Sequence, residues 1–330
     1  MNSKYISILR CPRTQQPLSL KNEKLVNGRI ESGKLVSPSG NEYEIVNFIP
    51  RFVPMENYAS GFGMQWNEHS RTQYDETSQF DISSERFVNE TGWGNNLAGQ
   101  QILEVGSGSG RFTKEALKTG AVVASLDYSS AVEANYHSNG HHENVLIVQG
   151  SVYEMPFARN SFDNAFCFGV LQHTPDPQAS FNSIVEYVKP GGRIATDVYL
   201  KNLTRWFLQP KYWVRPLTRG PKDPRKLYNR IKNYIDFMWP IARIIRKIPK
   251  IGPVLNWKLL ISDYSREMPN ASDKTLKEWA YLDSMDMLSP MYDYPQTVST
   301  FRKWHEMARL RNIDIQYGYT GIHARAVKPD

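Results

Sequence analysis

Apolar residues fall into short runs separated by helical spacings, and their order predicts alternating strands and helices through the middle of the chain. Ile102, Leu103 and Val105 form a compact apolar run, and Phe112, Ala116 and Leu117 recur at helical spacing beyond it. Further strands are predicted over residues 121–126, 145–149 and 164–168, and another follows the Pro-Gly-Gly turn of "VEYVKPGGRIATDVYL". A helix near 296–310 precedes two last strands at 313–317 and 322–327. The stretch "SSERFVNETGW" reads as a helix with Ser83 or Ser84 as N-cap. Ile231, Ile235, Met238, Ile241 and Ile245 recur at three- and four-residue steps, an amphipathic helix kinked at or broken by Pro240. The first 54 residues have the rhythm of a small β-rich module, held by Ile8, Leu18, Leu20, Ile45, Phe48 and Ile49.

Between the first predicted strand and its helix stands "EVGSGSGRF", with Gly106, Gly108 and Gly110 at every second position. Glycine lets backbone approach a ligand closely, and such a turn aims a helix N-terminus at whatever lies above it. The dinucleotide pattern G-x-G-x-x-G fails, because its third glycine would fall at Arg111. A P-loop fails for want of the Gly-Lys-Ser/Thr ending.

The remaining pattern, Glu104-x-Gly106-x-Gly108-x-Gly110, resembles the first motif of class I S-adenosylmethionine-dependent methyltransferases. Asp127 ends the second strand, where an acidic side chain can accept both ribose hydroxyls. The turn after the third strand carries Ser151 where the family usually has the Asp that holds the adenine amino group. The loop after the fourth strand, "FGVLQHTPDP", and the Pro-Gly-Gly turn follow in the family's order over roughly residues 99–200. The resemblance implies an α/β, Rossmann-like sheet of seven strands with the last antiparallel. It carries cofactor contacts over to Glu104, Gly106, Ser107, Gly108 and Gly110, to Asp127 and Tyr128, to Gly150, Ser151 and Val152, and to Phe168 and Gly169. The reaction it implies is in-line methyl transfer from S-adenosylmethionine, leaving S-adenosylhomocysteine, with positioning as the main demand. His173 faces the methyl group in that topology and suits a general base for a hydroxyl acceptor, or it only orients its loop by bonding Asp176. Asp163 reads as structural.

The 1–54 module resembles the Trm112-like zinc ribbons fused to bacterial methyltransferases. Cys11 remains from their ligand pairs, while Thr14, Ser37 and Gly40 stand at the other positions, so no metal is expected. His137, His141, His142 and Glu143 read as surface residues rather than a metal cluster. Residues 55–98 are expected as a helical linker that forms a lid over the cofactor in resembling enzymes. Gln65, Trp66, Arg71 and Tyr74 are its candidate contacts, unless Trp66 only packs between module and core.

Charge changes the picture in one place. The chain carries +7 overall, yet Lys201 to Ser262 alone holds fifteen Lys or Arg against two Asp and no Glu, with nine aromatics among them. Residues 201–290 are therefore expected as a basic helical cap inserted after the fifth strand, overhanging the acceptor, with 291–330 completing the sheet. Its charged face is merely solvated, or meets anionic lipid through 228–250, or follows nucleic-acid phosphates. Nucleic acid ranks last, because "FGVLQHTPDP" lacks the Pro-Pro-aromatic motif typical of methyltransferases acting on base amines.

The amino terminus lacks an apolar leader, no run of eighteen apolar residues occurs, and Cys11 and Cys167 are expected as reduced thiols. A cytoplasmic protein, at most peripheral to the membrane's inner face, is the expectation. Its acceptor is a small molecule or a lipid- or sugar-linked one. A cofactor-binding adaptor without turnover is the alternative.

Overall fold

The apolar runs of the central region are buried on both faces, as parallel strands flanked by helices must be. The computed structural model describes residues 1–55, 57–201 and 209–330. Its main sheet contains β5 (Gln101–Val105), β6 (Val122–Asp127), β7 (Val145–Gln149), β8 (Phe162–Cys167), β9 (Val188–Val198), β10 (Arg311–Tyr317) and β11 (Ile322–Val327). Their order is β10-β11-β9-β8-β5-β6-β7, and β11 runs antiparallel to both β9 and β10. The seven-stranded sheet with an antiparallel last strand is the one expected. Because β5 pairs with β6 on one side and β8 on the other, the chain leaves β5 at the point where strand order reverses. A crevice opens there, beyond the carboxyl ends of the strands.

Several local details differ from expectation. The Pro-Gly-Gly segment is no turn before β9 but an irregularity within it: Phe162 pairs with Val188 and Asn164 already with Arg193. Helix α3 (Ile82–Thr91) is not capped by Ser83 or Ser84. Instead Asp75, in the short helix α2 (Asp75–Ser78), accepts the Ser83 and Ser84 amides at 2.8 and 2.9 Å. One carboxylate thus satisfies two of the orphan donors of α3 and complements its dipole.

In the amino-terminal module, β1 (Ser19–Val26), β2 (Arg29–Val36), β3 (Glu42–Val46) and β4 (Ile49–Pro50) form an antiparallel sheet. Leu18, Ile45 and Ile49 are buried as expected, Ile8 and Leu20 are half-buried against the same core, Phe48 is half-buried on Tyr136, and Leu9 is buried beside them. Leu9, Ile30, Leu35 and Ile45 pack into one core with Val105, Leu126 and Phe157 of the main domain. The Cys11 thiol lies 3.2 Å from the Tyr43 hydroxyl, and Ser37 Oγ accepts the Asn41 amide. Past β4 the Phe52 amide donates to the Gln149 carbonyl, so the module docks along edge strand β7.

The insert contains α7 (Lys211–Thr218), α8 (Pro224–Ile245), α9 (Gly252–Lys258) and α10 (Asp273–Leu288). Arg205 and Trp206, counted among its charges and aromatics, lie outside the described residues. Helix α8 starts at Pro224 with Asp223 accepting the Lys226 amide, and it runs unbroken through Pro240. Pro240 and Asp236 are both exposed, so the carbonyl left without an N–H partner stays within reach of water. Tyr228, Ile231, Ile235, Trp239 and Ala242 form the buried stripe of α8 and pack with Leu276, Trp279 and Met285 of α10. Of the stripe read from the sequence, Ile231 and Ile235 are therefore core with Met238 packed against them, whereas Ile241 is exposed. His69, just past α1 (Ser60–Glu68), ties lid to cap through Glu278 at 2.7 Å and the Tyr228 hydroxyl at 2.8 Å.

Candidate functional site

The turn after β5 leads into α4 (Arg111–Lys118) and brings its backbone to the crevice. Gly106 has φ +80°, and a Cβ there would lie 2.1 Å from Val170 Cγ2, so only glycine fits. The Gly108 amide donates to Asp127 Oδ2 at 2.8 Å, and Ser129 donates to Oδ1 through its amide and hydroxyl. Asp127 is thus held at the tip of β6, its pKa raised by burial despite these bonds.

Gly106, Ser107, Gly108, Asp127 and Tyr128 line a cavity of about 840 Å³. Gly150, Val152, Phe168, Gly169, Trp66 and His173 line it too, from the turns after β7 and β8 and from the lid. Trp66 lies over the glycine loop: a Cβ at Gly108 would be 3.2 Å from its indole. Trp66 thus forms part of the cavity wall. The Ser107 hydroxyl is buried and has no partner among the described residues.

Six expected contacts lie elsewhere. Gln65 is fully buried within α1 and is not part of the cavity wall. Glu104 is 1% exposed and points behind the loop, where the Thr113 hydroxyl donates to it. Asn135 bonds Thr113 and Ser125 in the same buried network, and burial pushes Glu104 up to about 7. The carboxyl is held on that side by the Thr113 hydroxyl of α4, which Asn135 of α5 (Val132–Asn139) braces together with Ser125 of β6. Gly110 packs against Asn135 and Asn139. Ser151 Oγ accepts the Tyr153 amide within its own turn. Tyr74 is buried and donates to the Ser109 carbonyl at 2.8 Å, pinning the loop from outside, and Arg71 lies over the Tyr74 ring. Between these two, Gln73 faces the cavity and donates to Asp283 Oδ1 at 3.2 Å.

His173 Nδ1 lies 3.0 Å from the Tyr292 carbonyl, which only a protonated Nδ1 can satisfy. That leaves Nε2 as the basic nitrogen, and it has no partner among the described residues. Asp176 caps α6 (Pro177–Tyr187) through the Ala179 amide, so it does not orient His173. The His173 ring sits between Phe62 and Tyr199, with centroids 5.3 and 5.2 Å away.

The cap and the sheet end supply cavity residues that periodicity did not reveal. Tyr199, just past β9, donates to Asp286 at 3.1 Å. Asp283, one turn earlier on α10, is pushed up to about 7 by burial and then by the Asp286 carboxylate. Arg111 lines the same cavity, its Nη1 has no partner among the described residues, and its place after the glycines is a sequence signal that could have found it. Arg86 pairs with Glu90 and Asp197 and lies over Phe112, Phe168 and Tyr319. From the insert, Val254, Trp257 and Lys258 line the cavity. Asp163 accepts the Gln101 amide and pairs with Lys189, a structural role. Residues His137, His141, His142 and Glu143 are exposed, and no metal-holding group of His, Cys, Asp and Glu occurs among the described residues.

Residues 103–196 match the family model described as "Methyltransferase domain". The chain is 29% identical over 151 residues to the ubiquinone biosynthesis O-methyltransferase of Erwinia tasmaniensis, covering 43% of this chain and 62% of that one. It is 35% identical over 96 residues to the demethylmenaquinone methyltransferase of Corynebacterium kroppenstedtii, covering 29% and 40%. The chain thus spans less than two thirds of the length of these curated relatives. Among solved structures, human N-acetylserotonin methyltransferase in complex with SAM superposes with a TM-score of 0.41 at 15% identity, over 84% of this chain and 61% of that one.

Proposed function

We propose that this chain, whose central residues form a class I S-adenosylmethionine-dependent methyltransferase domain, transfers methyl to a hydroxyl of a small, lipid-linked or sugar-linked acceptor. The observation that carries the reading is one cavity walled by the glycine loop, Asp127 and a histidine whose buried Nε2 has no partner among the described residues. The residues present fit the cofactor. Gly106 and Gly108 leave the loop open to close approach, Asp127 offers its carboxylate to a ribose diol, and Gly150 and Val152 wall the adenine side. The volume suits an acceptor beside it.

When bound, S-adenosylmethionine supplies an electrophilic methyl on a sulfonium that leaves readily. The protein's part is to hold the acceptor oxygen in line and take its proton. His173 Nε2 is set for the second task, because Tyr292 fixes the proton on Nδ1. Glu104 becomes a positioning residue that supports the loop from behind. The name of the ubiquinone-biosynthesis relative, an O-methyltransferase, supports a hydroxyl, whereas that of the demethylmenaquinone relative supports a quinone-like acceptor without specifying oxygen. A peripheral contact of the cap with anionic lipid belongs to the same reading.

Calorimetry with S-adenosylhomocysteine tests the cofactor site. The protein should bind it, and Asp127→Ala should weaken binding about tenfold or more, the worth of a hydrogen bond to a charged group. No binding by the unaltered protein overturns the reading.

A further inference from the structure

We propose that the end of the cap, from Phe237 to Lys258, docks on an anionic lipid surface and sets the cavity mouth against it. The inference rests on the methyltransferase reading for its purpose but on separate observations for its substance. Helix α8 carries two apolar stripes. One is the buried stripe already described. The other, Phe237, Ile241 and Ile244, recurs at helical spacing, is continued by Ile248 just past the helix end, and is exposed, Phe237 by 77% and Ile244 by 70%. The chain then turns, and Asn256 of α9 donates to the Ala242 carbonyl at 3.0 Å, folding α9 back beside α8. Ile251, Val254 and Leu255 extend the exposed apolar surface across this hairpin. Contiguous apolar exposure of this kind marks an interaction site rather than ordinary surface.

Charge selects the partner. From Phe237 to Lys258 there are five Lys or Arg and no acidic residue. Arg243 and Arg246 are drawn to Asp273 and Asp263 on the body side, whereas Lys247 and Lys250 make no ion pair among the described residues. Exposed bulky apolar side chains bordered by unpaired lysines match the acyl and headgroup layers of an anionic bilayer.

The position selects the purpose. Val254 is both exposed and part of the cavity wall, and Trp257 and Lys258 follow it into the cavity. A docked hairpin therefore opens the cavity toward the bilayer, and an acceptor with an apolar chain reaches the site without crossing water.

Flotation tests this with phosphatidylcholine vesicles and with equal mixtures of phosphatidylcholine and phosphatidylglycerol. The full chain should float with the mixed vesicles and stay behind with the neutral ones. Ile244→Glu with Ile251→Glu should cut the partition coefficient at least tenfold, and so should Lys247→Glu with Lys250→Glu. Both pairs are exposed and outside the cavity wall, so S-adenosylhomocysteine binding and thermal midpoint should stay unchanged. Absence of flotation, or equal flotation of the Ile variants, overturns docking while leaving the cofactor reading intact. A dimer in sedimentation that the Ile variants dissolve would assign the surface to a second copy and overturn it equally.

Discussion

Replacing Glu104 by Gln separates the support of the loop from the contacts to a ligand. Glu104 is a carboxyl buried to 1% exposure whose proton is held up to about 7 against an ordinary carboxylate value of 4.5. Below the lower value, folded and unfolded chains both carry the proton. Between the two, the unfolded chain ionises while the folded chain keeps its proton, and stability falls by about 1.4 kcal/mol per pH unit. Over the interval the loss is about 3 kcal/mol, and above it no more is lost. Glutamine keeps the shape and an acceptor for the Thr113 hydroxyl but does not titrate. Any hydrogen bond that the amide makes badly costs the same at every pH, and other buried carboxyls such as Glu90 cancel between the two proteins.

Differential scanning calorimetry from about pH 5 to about pH 8 should therefore show the variant gaining on the unaltered protein as pH rises. At about 2 °C per kcal/mol for a chain of this size, the change in their difference is about 6 °C. Binding of S-adenosylhomocysteine should remain within about threefold, less than 1 kcal/mol, because the carboxyl does not face the cavity. A difference in midpoint that stays constant across pH refutes the buried-proton argument. A large loss of binding at unchanged stability would return Glu104 to the ligand.

His173→Ala should lower kcat about 10²- to 10⁴-fold while leaving S-adenosylhomocysteine affinity unchanged, read by turnover and calorimetry on one preparation. Gly106→Ala should abolish cofactor binding, because a Cβ would meet Val170 at 2.1 Å and the φ of +80° disfavours alanine. Asp75→Ala should cost about 1–2 kcal/mol in urea unfolding by uncapping α3, whereas Ser84→Ala should cost little.

Parallel strand β7 was legible because it is buried and almost wholly apolar, and it occupies 145–149 as read; antiparallel β11 also lies at 322–327 as read. The glycine loop and Asp127 were legible because their chemistry is local. What failed was non-local. The facing of Glu104 depends on Thr113, Ser125 and Asn135, which only the folded sheet brings together. The choice of Gln73 over Arg71 and Tyr74 arises in a turn that has no periodicity to read. The cap of α3 comes from another helix. Helix α8 shows a subtler failure: apolar residues on two sides offer two stripes, and the reading joined Ile241 of the exposed one to buried Ile231 and Ile235 while leaving out Phe237 and Ile244.

The docking of the small amino-terminal sheet has a consequence for any attempt to pare the protein down. The Phe52 amide caps the Gln149 carbonyl, Tyr5 bonds the Glu143 carbonyl, Arg29 reaches the His141 carbonyl, and the Arg10 amide bonds that of Pro156. These attachments straddle the outermost strand of the large sheet. A chain severed before residue 99 would bare that strand's flank and strip apolar cover from Leu126 and Phe157. Such a remnant would offer neighbouring molecules an unpaired ladder to stack upon, and precipitation rather than a minimal catalyst is what shortening would yield.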